Sequence, residues 1–341
     1  MKGYVIALDA MGGDNAPEAI VNGGIAALRA FPDLSLLLAG PEARLEGLLT
    51  GADDVRARIE LLPADEVISM EEAPMLAVRR KANSSLVRAM LAVREGRAGA
   101  VVSAGSTGAV LAGGMLRLGR IPGIERPALA PILPGSTKPF LLIDCGANVD
   151  CQPKYLTQFG LMGAVYMKSV MGVSDPAVGL VNIGTEEEKG NKLAKEAYEM
   201  MSRQTSYRFA GNCEARDIPS GQFDVVVADG FVGNVILKYT EGIVGTITGM
   251  LKNHMMDSTR TKLGAALAKP AFCALKKDLD YNAVGGAPML GVQGAVVKAH
   301  GASGSEAIMN ALRQAREMLA GDVVGRISAG LAGLSEEQPA M

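Results

Sequence analysis

The sequence predicts an α/β fold with a largely parallel sheet. Three observations carry that reading. Short β-rich runs alternate with longer stretches of helical periodicity along the chain. Several runs, Tyr4–Leu8 and Ala100–Ser103 among them, are almost continuously apolar, as strands covered on both faces are. The runs end in glycine-rich turns that enter helices. Glycine supplies 42 of 341 residues, about 12% against a usual share near 7%.

Taken in order, strands are expected over Tyr4–Leu8, Leu34–Ala39, Ile59–Leu62, Ala100–Ser103, Phe140–Asp144, Ala177–Asn182, Tyr207–Ala210, Asp224–Ala228 and Val296–Ala299. Helices are expected between them: Pro17–Arg29, which opens on a proline suited to a first turn, then Ala43–Leu49, Pro74–Arg94, Gly108–Arg117, Tyr155–Met171, Leu193–Gln204, Gly233–Met250 and Ser305–Met318. Residues 1–335 read as one α/β domain of two lobes with a cleft between them. The stretch after Gly330 is small and polar, and 336–341 reads as a frayed tail.

Composition narrows the function. Hydrophobic residues make 48% and charged residues 21%, as in an ordinary globular protein. Lys and Arg number 34 against 36 Asp and Glu, for a net charge of −2, so a general nucleic-acid-binding surface is not expected. The chain holds no run of about 18 apolar residues, the length a membrane-spanning helix needs. The first strand begins at Tyr4, with no leader pattern before it. A cytoplasmic protein is the default. Four cysteines without a CxxC pair, and two histidines, give no expectation of a disulfide framework or a zinc site.

Five strand-to-helix turns share one chemistry. They are Asp9-Ala-Met-Gly-Gly-Asp14 with Gly12 and Gly13, Ser103-Ala-Gly105-Ser106-Thr107-Gly108, Asp144-Cys-Gly-Ala-Asn148, Asn182-Ile-Gly184-Thr185-Glu186, and Asp229-Gly-Phe-Val-Gly-Asn234. Ligands of open α/β sheets bind beyond the carboxyl ends of the strands. There, small residues let backbone N–H groups approach an anion. Ser103–Gly108 is thus a candidate phosphate or oxyanion cradle. The chain contains no Gly-x-Gly and no GxxxxGK[ST], so neither a dinucleotide fingerprint nor a P-loop is present.

Further along, Lys298 and His300 alternate onto one face of the expected strand Val296–Ala299, beside a Gly/Ser turn. A cation and an imidazole there could bind phosphate and serve a leaving group. Cys145 follows a strand end, where a nucleophile could sit, although cysteine is also a common buried residue. His254 reads as a surface residue. Arg79-Arg80-Lys81, with Arg88 farther along the same expected helix, is a solvated face or a dock for an acidic partner.

Residues 250–277 break the βα rhythm. They read as helix, break at Pro270, helix. Six basic residues stand against Asp257 alone. Met256, Leu263 and Leu267 are expected on one face, with Phe272 and Leu275 beyond the break. Such a basic amphipathic hairpin suits an anionic membrane surface.

Together Val5–Asp14, Ser103–Ala109, Leu141–Asn148, Val181–Gly190, Asp229–Asn234 and Lys298–Gly301 resemble the PlsX family, the bacterial phosphate acyltransferases of phospholipid synthesis. The resemblance covers nearly the whole chain. It implies a three-layer α/β/α fold akin to isocitrate dehydrogenase and phosphotransacetylase. It also implies a homodimer that transfers an acyl group reversibly from acyl carrier protein to inorganic phosphate. The acyl phosphate then passes to a membrane glycerol-3-phosphate acyltransferase, and no metal or organic cofactor is needed. On that reading Lys298, His300, Asp229 and Asn234 are catalytic. Asp9, Gly12, Gly13, Asp14, Ser103–Gly108, Asp144, Asn148, Gly184 and Thr185 hold phosphate or substrate. Arg79, Arg80, Lys81 and Arg88 meet the carrier. Lys81–Ser85 and Tyr281–Gly285 depart from the family's usual pattern. A β-decarboxylating dehydrogenase of the same fold would need an acidic metal triad and an arginine cluster, and no compact acidic cluster of that type is present. A carrier-binding regulator would bind without turnover.

Overall fold

A computed structural model of the chain describes residues 3–279 and 285–336. Tyr281–Val284 of the departing segment, and the tail from 337, lie outside the described residues. The strands are β1 (Tyr4–Asp9), β2 (Leu34–Gly40), β3 (Ile59–Pro63), β4 (Ala100–Ser103), β5 (Ala128–Leu129), β6 (Ile132–Leu133), β7 (Phe140–Ile143), β8 (Ala177–Asn182), β9 (Arg208–Glu214), β10 (Val225–Val227), β11 (Ala287–Leu290) and β12 (Ala295–Lys298). The helices are α1 (Glu18–Ala30), α2 (Glu42–Leu48), α3 (Asp53–Arg56), α4 (Pro74–Arg80), α5 (Ser85–Arg94), α6 (Thr107–Gly113), α7 (Pro153–Ser169), α8 (Lys192–Ser202), α9 (Gly230–Met255), α10 (Thr259–Asp278), α11 (Ser305–Ala320) and α12 (Val323–Glu336).

The strands form two sheets. One has the order β3-β2-β1-β4-β12-β11-β5 and the other β6-β7-β10-β8-β9. Pairing is parallel except at β11, whose two neighbours run against it, and at β6. The apolar runs have the predicted cause. Within β1, Ile6 and Leu8 pack with Ile20, Leu28, Ile308 and Leu312 of α1 and α11. Ala7, on the opposite face, packs with Val87, Met90 and Val110 of α5 and α6. Both faces of the strand are therefore covered, which gives the three-layer arrangement. In the second sheet Val225 and Val227 pack with Phe159 and Met162 of α7, and Val226 faces Phe223 and Ile218.

Some expectations need correction. The single helix over 74–94 is two helices. Lys81 leaves helical geometry, the Ser84 hydroxyl donates to the Lys81 carbonyl, and Glu66 bridges to Ser84. Such local side-chain bonds compete with the helix ladder. Arg88 therefore lies on a different helix from Arg79 and Arg80. The basic hairpin is also redrawn. Its first arm starts at Gly230, its turn is at Met256–Ser258, and Pro270 sits inside α10 rather than at the break. Ser258 and Thr261 exchange side-chain-to-backbone bonds at 3.2 and 3.1 Å, a capping box that starts α10. Met256 caps α9 instead of sharing a face of α10 with Leu263 and Leu267. The chain after Gly330 continues as α12 to Glu336, with Leu331 buried. Strands β5 and β6, two residues each, are too short to carry a readable period, and β11 has no counterpart among the expected strands.

Candidate active site

Strand register assembles the site. Leu8 pairs with Val102, and Val102 with Val297. Asp9, Ser103 and Lys298 therefore end three adjacent parallel strands, β1, β4 and β12, at one level. In the second sheet Ile143 pairs with Val227, and Val227 with Leu180. The turns at Asp144, Asn182 and Asp229 thus follow three adjacent strands there. The turns form two triplets, one per sheet.

The first triplet is tightly stitched. Asp14 N–H donates to the Gly301 carbonyl at 2.8 Å, and Asn15 Nδ2 donates to the Ala302 and Ser303 carbonyls. Ser103 Oγ donates to Asp9 Oδ2 at 2.7 Å while accepting from Gly105 N–H at 3.0 Å. Gly12 lies so close that a Cβ there would stand 2.5 Å from Asp9 Oδ2 and 2.7 Å from the Gly105 nitrogen. Gly13 adopts φ +104°, where an L side chain is strained. Ser103 is fully buried and Gly105 spends its N–H inside the turn, so both are scaffold. The amides of Ser106, Thr107 and Gly108 take no acceptor among the described residues. They are the donors open to an anion.

Burial sets the charges. Asp9 is buried, and desolvation raises its carboxyl above the usual range; bonds from Ser85, Ser103 and the Met11 amide oppose the shift. Lys298, 7% exposed, donates through Nζ to the Ala299 carbonyl. Desolvation lowers its ammonium to about 8 against the pull of Asp14 and Asp9, and Lys238 of α9 lowers it further. His300 differs from expectation. The strand stops at Lys298, so His300 sits in an exposed turn instead of sharing a strand face with it. Its Nδ1 accepts from the Ala302 amide at 3.1 Å. A neutral ring then carries its proton on Nε2.

The second triplet is framework. Asp144 accepts from the Leu129 amide at 2.9 Å, tying strand β5 of the first sheet to a turn of the second. It also accepts from the Ala147 amide and from both the amide and the side chain of Asn148. Burial nevertheless raises its carboxyl to about 6. Asn148 Nδ2 spends its two hydrogens on Asp144 and the Pro127 carbonyl, at 3.0 and 2.8 Å. It has none left for an oxyanion, which corrects that expectation. Asp229 caps α9 by accepting from the Val232 amide at 2.8 Å, and Asn234 is exposed on the next turn. No hydrogen bond among the described residues joins either to Lys298 or His300. Gly184 is packed against Glu186 and Lys189, and Thr185 is exposed.

Cys145 is buried, its thiol directed at the Leu142 and Gly233 carbonyls, and burial pushes its pKa well up. A buried neutral thiol is a poor nucleophile. Cys145→Ser is expected to retain at least half of wild-type turnover. Trapping an acyl thioester on Cys145 by mass spectrometry would contradict this.

Lys81 is not free to steer a partner, since it bonds Glu72 and the Val67 carbonyl, both at 2.7 Å. Arg79 and Arg80 are exposed, while Arg88 is half-buried. Two residues went unassigned at the sequence level. Ser85 reaches Asp9 from the start of α5, and Lys238 lies about two turns into α9. A serine at a helix start reads as a cap, and Lys238 is nine residues beyond the Asp229 turn; neither carries a local signal.

Two sheets of mostly parallel strands, with one triplet of turns leaving backbone amides open to an anion, define a three-layer α/β/α fold shared with phosphotransacetylases. The structure superposes on a phosphotransacetylase from Streptococcus pyogenes with TM-score 0.62 at 16% identity, over 95% of each chain. It superposes on one from Staphylococcus aureus with TM-score 0.61 at 16% identity, over 94% of each. Residues 4–326 match the family described as fatty acid synthesis protein, and the chain belongs to that family. It is 49% identical over 332 residues to a phosphate acyltransferase of Clostridium botulinum, covering 97% of this chain and 99% of that one. It is equally identical over 323 residues to one of Clostridium perfringens, covering 95% of each.

Proposed function

We propose that this chain is an acyltransferase that moves a fatty acyl group from acyl carrier protein to inorganic phosphate, yielding acyl phosphate for phospholipid synthesis. The observation that carries it is the alignment of Asp9, Ser103 and Lys298 at the ends of three adjacent strands, around the open amides of Ser106–Gly108. The reaction occupies the cleft between the two lobes, where Lys238 of the second, ion-paired to Glu241 at 2.8 Å, adds positive charge near Lys298.

Phosphate binds at those amides and Lys298, and one of its oxygens attacks the thioester carbonyl. A C–O bond forms, the oxyanion collapses, and the C–S bond breaks. The leaving thiolate takes a proton. A thiol near pKa ~8.5 matches an ammonium at about 8, so Lys298 is the acid, with His300 Nε2–H as a second donor. Substrate and product are both activated acyl groups, so the reaction is reversible. Phosphate-dependent release of free carrier thiol, without added nicotinamide cofactor, tests this. Binding without release would make the chain a regulator.

Partners follow from the surface. The carrier is acidic and docks at Arg79 and Arg80. Reversing both charges is expected to raise the carrier KM about tenfold at low salt, an effect screened as salt rises, with phosphate KM unchanged. An unchanged carrier KM would contradict this. The exposed α9 stripe Phe231, Val235, Tyr239, Ile243 and Ile247 recurs every four residues and suits a second copy. On α10, Leu263 and Leu267 are 66% and 79% exposed. They meet the anionic membrane surface, where a membrane glycerol-3-phosphate acyltransferase receives the product. Met256, Phe272 and Leu275 instead line the groove of about 720 Å³ between α9 and α10. Leu263→Glu with Leu267→Glu is expected to abolish flotation with anionic vesicles while leaving the dimer intact. Flotation at the wild-type level would remove the hairpin from the membrane.

A further inference from the structure

The loop between β3 and α4 lies over the cradle. Val67 and Ile68 line the small cleft whose other side is Asp9, Gly12, Gly105 and Ser106. Pro74 packs on the first turn of α6, 2.6 Å from where a Cβ on Gly108 would stand. The Met70 methyl lies 3.0 Å from the corresponding point on Gly301, beside His300. One segment therefore touches both the Ser106–Gly108 turn and the His300–Gly301 turn. It also leaves four large apolar side chains open: Val67, Met70, Met75 and Leu76, each 37–47% exposed.

A clasp holds the segment in place. Lys81 Nζ donates to Glu72 Oε1 and to the Val67 carbonyl, each at 2.7 Å, and Glu72 Oε1 also accepts from the Ser69 amide at 2.8 Å. Clustered apolar exposure at the mouth of a polar site marks a binding surface. Two of the four are methionines, whose unbranched thioethers adapt to ligands of varied shape.

We propose that residues 67–76, clasped by Lys81 and Glu72, form the wall along which the acyl chain of the donor lies, with Met70 setting the chain length accepted. The inference rests on the acyl-transfer reading above. An acyl carbonyl at the cradle must send its chain out of the site, and this wall is apolar, contiguous with the cradle and fixed. Lys81 is a positioning residue here, acting through the loop.

The test compares donors from butyryl to octadecanoyl carrier protein. Met70→Ala is expected to lower the ratio of kcat/KM for hexadecanoyl over butyryl donors about tenfold, chiefly through KM, from the lost apolar contact. Lys81→Met shifts the ratio the same way, and Lys81→Arg restores it. Phosphate KM stays at the wild-type value in all three. A ratio unchanged in Met70→Ala, or a uniform loss at every chain length, overturns the wall. Hexadecanoate binding by calorimetry is read in parallel and needs no turnover. Wild-type binding weakened by Met70→Ala supports the wall even if no acyl phosphate forms, an outcome that would fail the acyl-transfer reading alone. Equal hexadecanoate binding in wild type and Met70→Ala overturns the wall.

Discussion

Lys298→Ala is expected to lower turnover by about 10²–10³ while leaving the fold intact, the usual scale for removing a preorganised charged contact to the transition state. Lys298 ends β12 beside Ser103, buried, with its ammonium attracted by the Asp14 and Asp9 carboxylates. The pH profile separates a chemical role from a structural one. Burial lowers this ammonium to about 8. In the proposed mechanism the cation binds phosphate and donates the proton, so kcat/KM for phosphate is expected to fall as pH rises through about 8. Bound phosphate favours the charged form and moves the limb of kcat higher. In Lys298→Ala the alkaline limb near 8 disappears. His300→Ala, removing an exposed second donor, is also expected to cut turnover strongly. Near wild-type rates in both variants would refute the assignment.

Gly12→Ala is expected to be nearly as damaging through geometry alone. The new methyl would press on Asp9 Oδ2, the Gly105 nitrogen and Ser103 Oγ, the last at 3.0 Å. These atoms fix the loop that presents the Ser106–Gly108 amides. Overpacking of this kind costs about 1–3 kcal/mol of stability. A shift of about 1 Å at a cradle costs about 10² in rate. A Cβ on Gly47 meets nothing within 4 Å, so Gly47→Ala serves as the control, with unchanged kinetics. Kinetics of Gly12→Ala within threefold of wild type would show that the Asp9 turn does not shape the site.

The sheets were legible because burial on both faces writes continuous apolar runs, as in β1, β4 and β10. The turns were legible because close backbone approach demands glycine, as at Gly12. Less legible was the division of labour among polar residues. Asp144 and Asn148 look like site residues in the sequence, yet each hydrogen of the Asn148 side chain is spent on framework. Lys81 looks like part of a basic dock, yet it clasps a loop. Both outcomes depend on long-range partners, Leu129, Pro127 and Glu72, that no local pattern names. The Pro270 break failed for a related reason. An exposed helix can lose one backbone bond at a proline and continue, while the Ser258–Thr261 capping box set the turn.

In the proposed reaction, phosphate held at the Ser106–Gly108 amides and Lys298 is itself the acyl acceptor. Incubating the protein with acyl carrier protein thioester and phosphate fully labelled with oxygen-18 tests it most directly. Mass spectrometry is predicted to find acyl phosphate carrying all four labelled oxygens, in equal amount with free carrier, and the yield to collapse in Lys298→Ala. Free fatty acid as the product, or carrier release independent of phosphate, would contradict the account.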